Sequence, residues 1–156
     1  MFNQLKSIVN SAIEEFNENE AFLIKNDLSE RCICAKFALY LQSALNNTAD
    51  FSDYIVDVEY NRGMDGKDSN AKILYGKKIV VDLIAHRRGY DEVYGYDNLI
   101  CIEMKKSTNR LGCIGDEQRL RDLVSLRYGF GYKMGVMLIA DMTQNKLMIK
   151  EEFLLN

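Results

Sequence analysis

Residues Leu99-Ile100-Cys101-Ile102 form an unbroken apolar run that ends in Glu103-Met104-Lys105, and Ile79-Val80-Val81 is a second such run ending in Asp82. Apolar runs of strand length that do not alternate with polar residues suit central strands covered on both faces. A chain built around them must supply covering elements for two sides of a sheet. The first part of the sequence supplies them. Leu5, Ile8, Val9, Ala12, Ile13 and Phe16 recur at helical spacing, so residues 3 to 18 read as an amphipathic helix within an N-terminal segment, 1 to 20, that packs on the rest.

A second helix is expected to run to about residue 45 through Cys32, Ile33, Phe37, Tyr40, Leu41 and Leu45. Asp27 and Glu30 have the spacing of an N-cap and its third-position partner, and Asn46 and Asn47 end the helix. Beyond it the period changes to two. Strands are expected at 54 to 60, 78 to 86 and 98 to 105, punctuated by Gly63, Gly66, Gly76, Gly89 and Gly95. The polar segment Met64 to Asn70 reads as a mobile connection. A third helix, capped by Asp116, spans 116 to 128 and is stopped by Gly129 and Gly131; strands at 133 to 140 and 146 to 153 follow across a polar turn. Short links favour an antiparallel meander, and the third helix makes one parallel crossover. The expectation is a single α/β domain, residues 1 to 156, in three layers (α/β/α) around a mixed sheet of about five strands.

At 156 residues the chain can bury roughly 70% of its unfolded surface, so it needs no disulfide or structural metal. Cys32, Cys34, Cys101 and Cys113 read as thiols, and with His86 the sole histidine a four-ligand zinc site cannot be assembled. No GK[ST] loop or GxSxG elbow is present, and Gly129 to Gly135 stands between a helix and a strand, so it is a turn and not a dinucleotide loop. No stretch approaches 18 apolar residues, which gives a cytoplasmic protein without a membrane partner as the expectation. Net charge is −3, but unevenly spread: residues 1 to 60 hold 4 Lys/Arg against 10 Asp/Glu, and residues 61 to 156 hold 16 against 13. A polyanion would meet the second part.

Residues two apart on a strand share a side, so Glu103 and Lys105 project together, beside Asp82 on the neighbouring strand. Carboxylates between covered strands must be compensated by a partner or a cation. Two hard oxygen donors suit Mg²⁺ or Mn²⁺, and Lys105 adds a positive charge beside them, an arrangement able to activate a water and stabilise a phosphoryl group. The same three residues are equally compatible with a buried ion pair that only shapes the core. Glu30 is open to two readings, site carboxylate or helix cap. Asp57 and Glu59 share one side of the first strand as further acids or solvated groups. His86 lies about 13 Å along the strand from Asp82, too far to share its ligands, and with Arg87 and Arg88 reaches a phosphate or marks a solvated strand end. Lys106, Arg110, Arg119 and Arg121 raise the same question; Arg119 is spaced to lean toward the site and Arg121 toward solvent.

From about Leu28 to Ile139 the chain resembles the PD-(D/E)XK nuclease superfamily, the restriction-endonuclease-like fold. The resemblance is carried by Ser29-Glu30-Arg31 leading into Phe37 to Leu41, by the hairpin strand Val80 to Gly89 with its Asp82, by the next strand Asn98 to Ser107 with its Glu103-Met104-Lys105, by the helix Asp116 to Ser125 and by the strand Tyr132 to Ile139. The family's proline before the aspartate is Val81 here. The resemblance implies that Asp82, Glu103 and Lys105 are catalytic, that Asp82 and Glu103 bind Mg²⁺ or Mn²⁺ with Glu30 completing the site, and that Lys105 acts on the attacking water. It implies a metal-dependent nuclease, with DNA the favoured nucleic-acid partner and Arg87, Arg88, Lys106 and Arg119 as contacts to it. Removing either Asp82 or Glu103 should then abolish cleavage and leave the fold intact or more stable. A catalytically idle module of the same fold that binds nucleic acid or a protein is the alternative. With no room for a recognition domain, specificity would come from loops, a homodimer or a partner subunit.

Overall fold

The structure, a computed structural model, describes residues 1–61, 71–88, 97–109, 113–128 and 130–155. Its elements are α1 (Phe2–Lys25), α2 (Glu30–Asn46), β1 (Ile55–Val58), β2 (Ile73–Leu74), β3 (Lys77–Lys78), β4 (Leu83–His86), β5 (Asn98–Lys106), α3 (Cys113–Val124), β6 (Met134–Asp141) and β7 (Lys146–Leu154). Five strands form one mixed sheet in the order β1-β4-β5-β6-β7, and β2 and β3 form a separate hairpin. The β5–β6 pair is parallel and the other pairs are antiparallel, as a meander followed by one helical crossover requires. The connection expected at Met64 to Asn70, the glycines at Gly63, Gly66, Gly89, Gly95 and Gly129, and Arg110 lie outside the described residues.

The unbroken apolar run on β5 is explained by two cores. Ile100, Ile102 and Met104 face α1 and α2 together with Val136 and Leu138, while Cys101 faces α3 with Ile84 and Met137. Gly135 admits the α3 layer: a Cβ there would stand 3.2 Å from Val124 and 3.5 Å from Leu120. The edge strand β7 is tied to α1 by the Asn17 side chain, which donates to the Leu147 carbonyl at 2.9 Å and accepts from the Leu147 N–H at 2.7 Å.

Four local expectations are corrected. Helix α1 continues to Lys25 because Glu20, on the buried stripe and departing from helical φ/ψ, is satisfied by the Tyr40 hydroxyl at 2.8 Å and by Lys36 at 3.4 Å, which lets Ile24 rejoin the core. The cap of α2 is Ser29, whose hydroxyl accepts from the Cys32 N–H at 3.2 Å, so Asp27 and Glu30 form no capping box. The strand expected from Lys78 begins only at Leu83, because residues 77–78 pair with β2 instead. Helix α3 begins at Cys113 and stops at Val124, followed by a short 3-10 turn at Leu126–Tyr128; Asp116 is therefore inside the helix and not its cap.

Candidate active site

Asp82 stands immediately before β4, where the chain enters the sheet. Its backbone carbonyl accepts from the Glu59 N–H at 3.0 Å, and its carboxylate accepts from the Met104 N–H of β5 at 2.8 Å. The side chain thus occupies a ladder position that a continuing strand would have filled with a carbonyl, which holds one carboxylate oxygen against the middle of the ExK segment. Pairing of Leu83 with Ile102 puts Glu103 beside Asp82, and the two carboxyl groups come within hydrogen-bonding reach. Glu103 is 1% exposed. Burial first, and then the charge of Asp82, push its carboxyl well above the ordinary carboxylate range, against the opposing pull of Arg119.

Arg119 is the principal compensation. From α3 it donates to Glu103 Oε1 at 2.6 Å, to Asp116 Oδ1 at 2.7 Å and to the Val80 carbonyl at 3.3 Å. Lys105 projects on the same side as Glu103, with its Nζ 3.0 Å from Asp116 Oδ2 and 3.6 Å from Glu30 Oε2. The contact with Asp116 Oδ2 is an ion pair without hydrogen-bond alignment, and that buried oxygen has no hydrogen-bond partner among the described residues. Burial works to lower the Lys105 pKa, but Asp116, Asp82 and Glu30 outweigh it and the net shift is upward, so the ammonium stays charged. Glu30 and Asp82 line one cleft of about 210 Å³ with Arg31, Cys34, Val58 and Glu59. Burial, and then the surrounding carboxylates, push the Cys34 thiol upward, so it is no thiolate nucleophile.

Asp82, Glu103, Lys105, Glu30 and Arg119 are therefore brought together, and Asp116 joins them. Asp116 escaped sequence reasoning because its position suited a cap; its three-residue spacing to Arg119 was the available signal. The other expected contacts are not at the cluster. Arg87 pairs with Asp97 at 2.7 Å and lies over the Tyr54 ring, Arg88 pairs with Asp57, and Lys106 pairs with Asp27 at 2.8 Å. His86 is neither solvated nor free: it is buried, donates from Nε2 to Asp57 at 2.9 Å and packs on Tyr60. Burial lowers its pKa despite Asp57, so the ring is neutral near pH 7. Burial works against ionisation of Asp57 in turn, but bonds from Arg88 and His86 prevail and hold it below its usual value. Glu59 is held by Arg31 at 2.7 Å, and Arg121, exposed as expected, pairs with Glu151 at 2.7 Å and stacks on Phe153.

Among the described residues, no three or more His, Cys, Asp or Glu side chains are arranged as a metal-binding group. The carboxylates that do converge, Asp82 and Glu103, are a hard-oxygen pair whose mutual repulsion an added cation would relieve. That donor set fits an ion of the Mg²⁺ kind, which commonly takes one or two carboxylates and completes its coordination with water and substrate phosphate. No helix among the described residues is long and apolar enough to cross a membrane.

No family model matches this chain, and no curated protein matches it significantly. Among solved structures, the crystal structure of SSO0001 aligns with 97% of this chain and 76% of its own length, at 15% identity and a TM-score of 0.32. A likeness that slight carries no argument about fold or function.

Proposed function

We propose that the chain is a metal-dependent nuclease of the PD-(D/E)XK type, with the restriction-endonuclease-like arrangement of α2, β1, β4, β5, α3 and β6. The observation that carries the reading is the meeting of Asp82 and Glu103 at the inner strands, beside a lysine held charged by Asp116 and Glu30. A divalent ion bound by Asp82 and Glu103 would supply charge against the phosphoryl oxygens and lower the pKa of a water. Lys105, being an ammonium, donates to the attacking water and stabilises the charge it develops; it does not take the proton. Arg119 holds Glu103 in place, and Glu30 holds Lys105 from the α2 side. DNA is the favoured substrate on the family resemblance.

One observation favours the second reading, an idle nuclease-fold module that binds nucleic acid or a protein. The Arg119 guanidinium already occupies Glu103 Oε1 at 2.6 Å, a place that a metal ion would otherwise take. The test is cleavage of labelled single-stranded DNA, duplex DNA and RNA in Mg²⁺, Mn²⁺ and EDTA, with Glu103→Ala and Lys105→Ala alongside, and a calorimetric Mn²⁺ titration of the same samples. Metal-dependent cutting lost in both variants is the expected outcome. Cutting that survives in Glu103→Ala would refute the site, and failure of the wild type both to bind Mn²⁺ and to cut would leave the idle module.

A further inference from the structure

The cations that spacing assigns to a polyanion, Arg87, Arg88 and Lys106, are each engaged by a carboxylate. Other exposed cations form no ion pair among the described residues, and three of them lie near one another: Lys77 and Lys78 on β3, and Arg127 in the turn after α3, which feels only the nearby charge of Asp122. Between them stands Tyr75, whose backbone is unusual. Tyr75 (φ 54) and Gly76 (φ 72) are the two central residues of the β2–β3 hairpin, and positive φ at both defines a type I′ turn. Asn, Asp and Gly suit the first of these positions; a bulky aromatic there is strained, and such strain calls for a compensating use. Core packing does not compensate, because Tyr75 is 59% exposed. Its ring meets Tyr128 edge to face at 5.7 Å, and the Arg127 guanidinium lies 5.4 Å from the Tyr128 ring centre.

An exposed aromatic ring braced by a half-buried one and bordered by cations is what an unpaired nucleic-acid strand recognises: a base stacks on the ring and phosphates meet the charges. The platform is also tied to the carboxylate cluster. From Lys78 the chain runs through Val80, whose carbonyl accepts from Arg119, to Asp82. Asp82 is seven positions after Tyr75, a span of at most about 25 Å. We infer that the β2–β3 hairpin and the turn after α3 form a landing platform for single-stranded nucleic acid, with Tyr75 stacking an unpaired base and Lys77, Lys78 and Arg127 holding the neighbouring phosphates. The inference rests on the nuclease reading in that the platform would deliver its strand to Asp82 and Glu103.

The test is binding without cleavage. Fluorescence anisotropy in EDTA compares labelled oligo-thymidylate, oligo-uridylate and a DNA duplex of equal length over a series of salt concentrations. The variants are Tyr75→Asn, Lys77→Ala with Lys78→Ala, and Arg88→Ala. Asparagine suits the left-handed turn, so Tyr75→Asn should keep its melting temperature while losing roughly tenfold or more in single-strand affinity. The double lysine variant should lower the slope of log affinity against log salt by about 1.4, and Arg88→Ala should leave the slope unchanged. Oligo-thymidylate against oligo-uridylate ranks a DNA strand against an RNA strand. The platform is overturned if Tyr75→Asn binds like wild type, if the double lysine variant keeps the full slope, if duplex binds as tightly as single strand, or if the wild type binds no strand at low salt. Single-strand binding without metal-dependent cutting would leave the platform and remove the nuclease, and cutting without a Tyr75 effect would do the reverse.

Discussion

Replacing Glu103 by glutamine, a neutral side chain of the same shape, should stabilise the metal-free protein, and the gain should grow with pH. The Glu103 side chain is 2% exposed, and its carboxyl is held well above its ordinary pKa by burial first and by Asp82 next. A carboxyl with a folded pKa above its unfolded one binds its proton more tightly in the folded state. Its stabilising contribution is complete below the unfolded value of 4.5 and is lost as pH rises through the folded value. Each unit of difference is worth about 1.4 kcal/mol above both values. Glutamine mimics the protonated form at every pH and escapes that loss. Arg119 is not stranded by the change, because Asp116 Oδ1 at 2.7 Å and the Val80 carbonyl at 3.3 Å still accept from it. Wild type and Glu103→Gln should therefore melt together near pH 4 in EDTA, and the variant should gain about 1–3 kcal/mol above pH 7, or roughly 3–10 °C in Tm. Thermal melts followed by circular dichroism across that range check it. A gain that is equal at pH 4 and pH 8, or a loss at pH 8, would refute the assignment of a disfavoured charge to Glu103.

Asp82 should behave differently, although spacing alone treats the two acids alike. Its carboxylate accepts the Met104 N–H at 2.8 Å, so Asp82→Ala should lose about 1–3 kcal/mol for the orphaned donor while Asp82→Asn, which keeps an acceptor, loses less. Denaturant titrations separate the two, and both variants should lack cleavage. Lys72 offers a third check. It is 4% exposed, donates to the Tyr132 hydroxyl at 2.7 Å, and burial lowers its pKa from 10.5 to about 8. A folded pKa below the unfolded one contributes stability above the unfolded value that is lost as pH falls through the folded value. Lys72→Met should therefore stabilise the protein at pH 7 by about 2 kcal/mol after loss of the hydroxyl bond, with the gain shrinking toward pH 10; a gain constant over that range would contradict the buried-ammonium account.

Regular elements were legible because their signals are local. The helical stripe of α1, the unbroken apolar run of β5 and the two-residue period that sets Glu103 and Lys105 on one side each depend on residues close in sequence. The same locality explains the misplaced boundaries. Asp116 and Glu30 have the residue types and spacings of caps, and only the arrival of Lys105 and Arg119 shows what the Asp116 carboxylate does instead.

Sequence by itself determined a layered α/β chain whose covered strands carry Asp82 and a Glu103–Lys105 pair. Tertiary structure decided which charges remain available to a ligand. Arg88 and Lys106 are quenched by acids 31 and 79 residues away, and Arg119, one helix turn from Asp116, is drawn onto Glu103 from a neighbouring layer. The physical reason is that periodicity is set by backbone geometry over a few residues. Charge compensation is set instead by whichever opposite charges the folded chain brings within a few ångströms, and no local pattern encodes that.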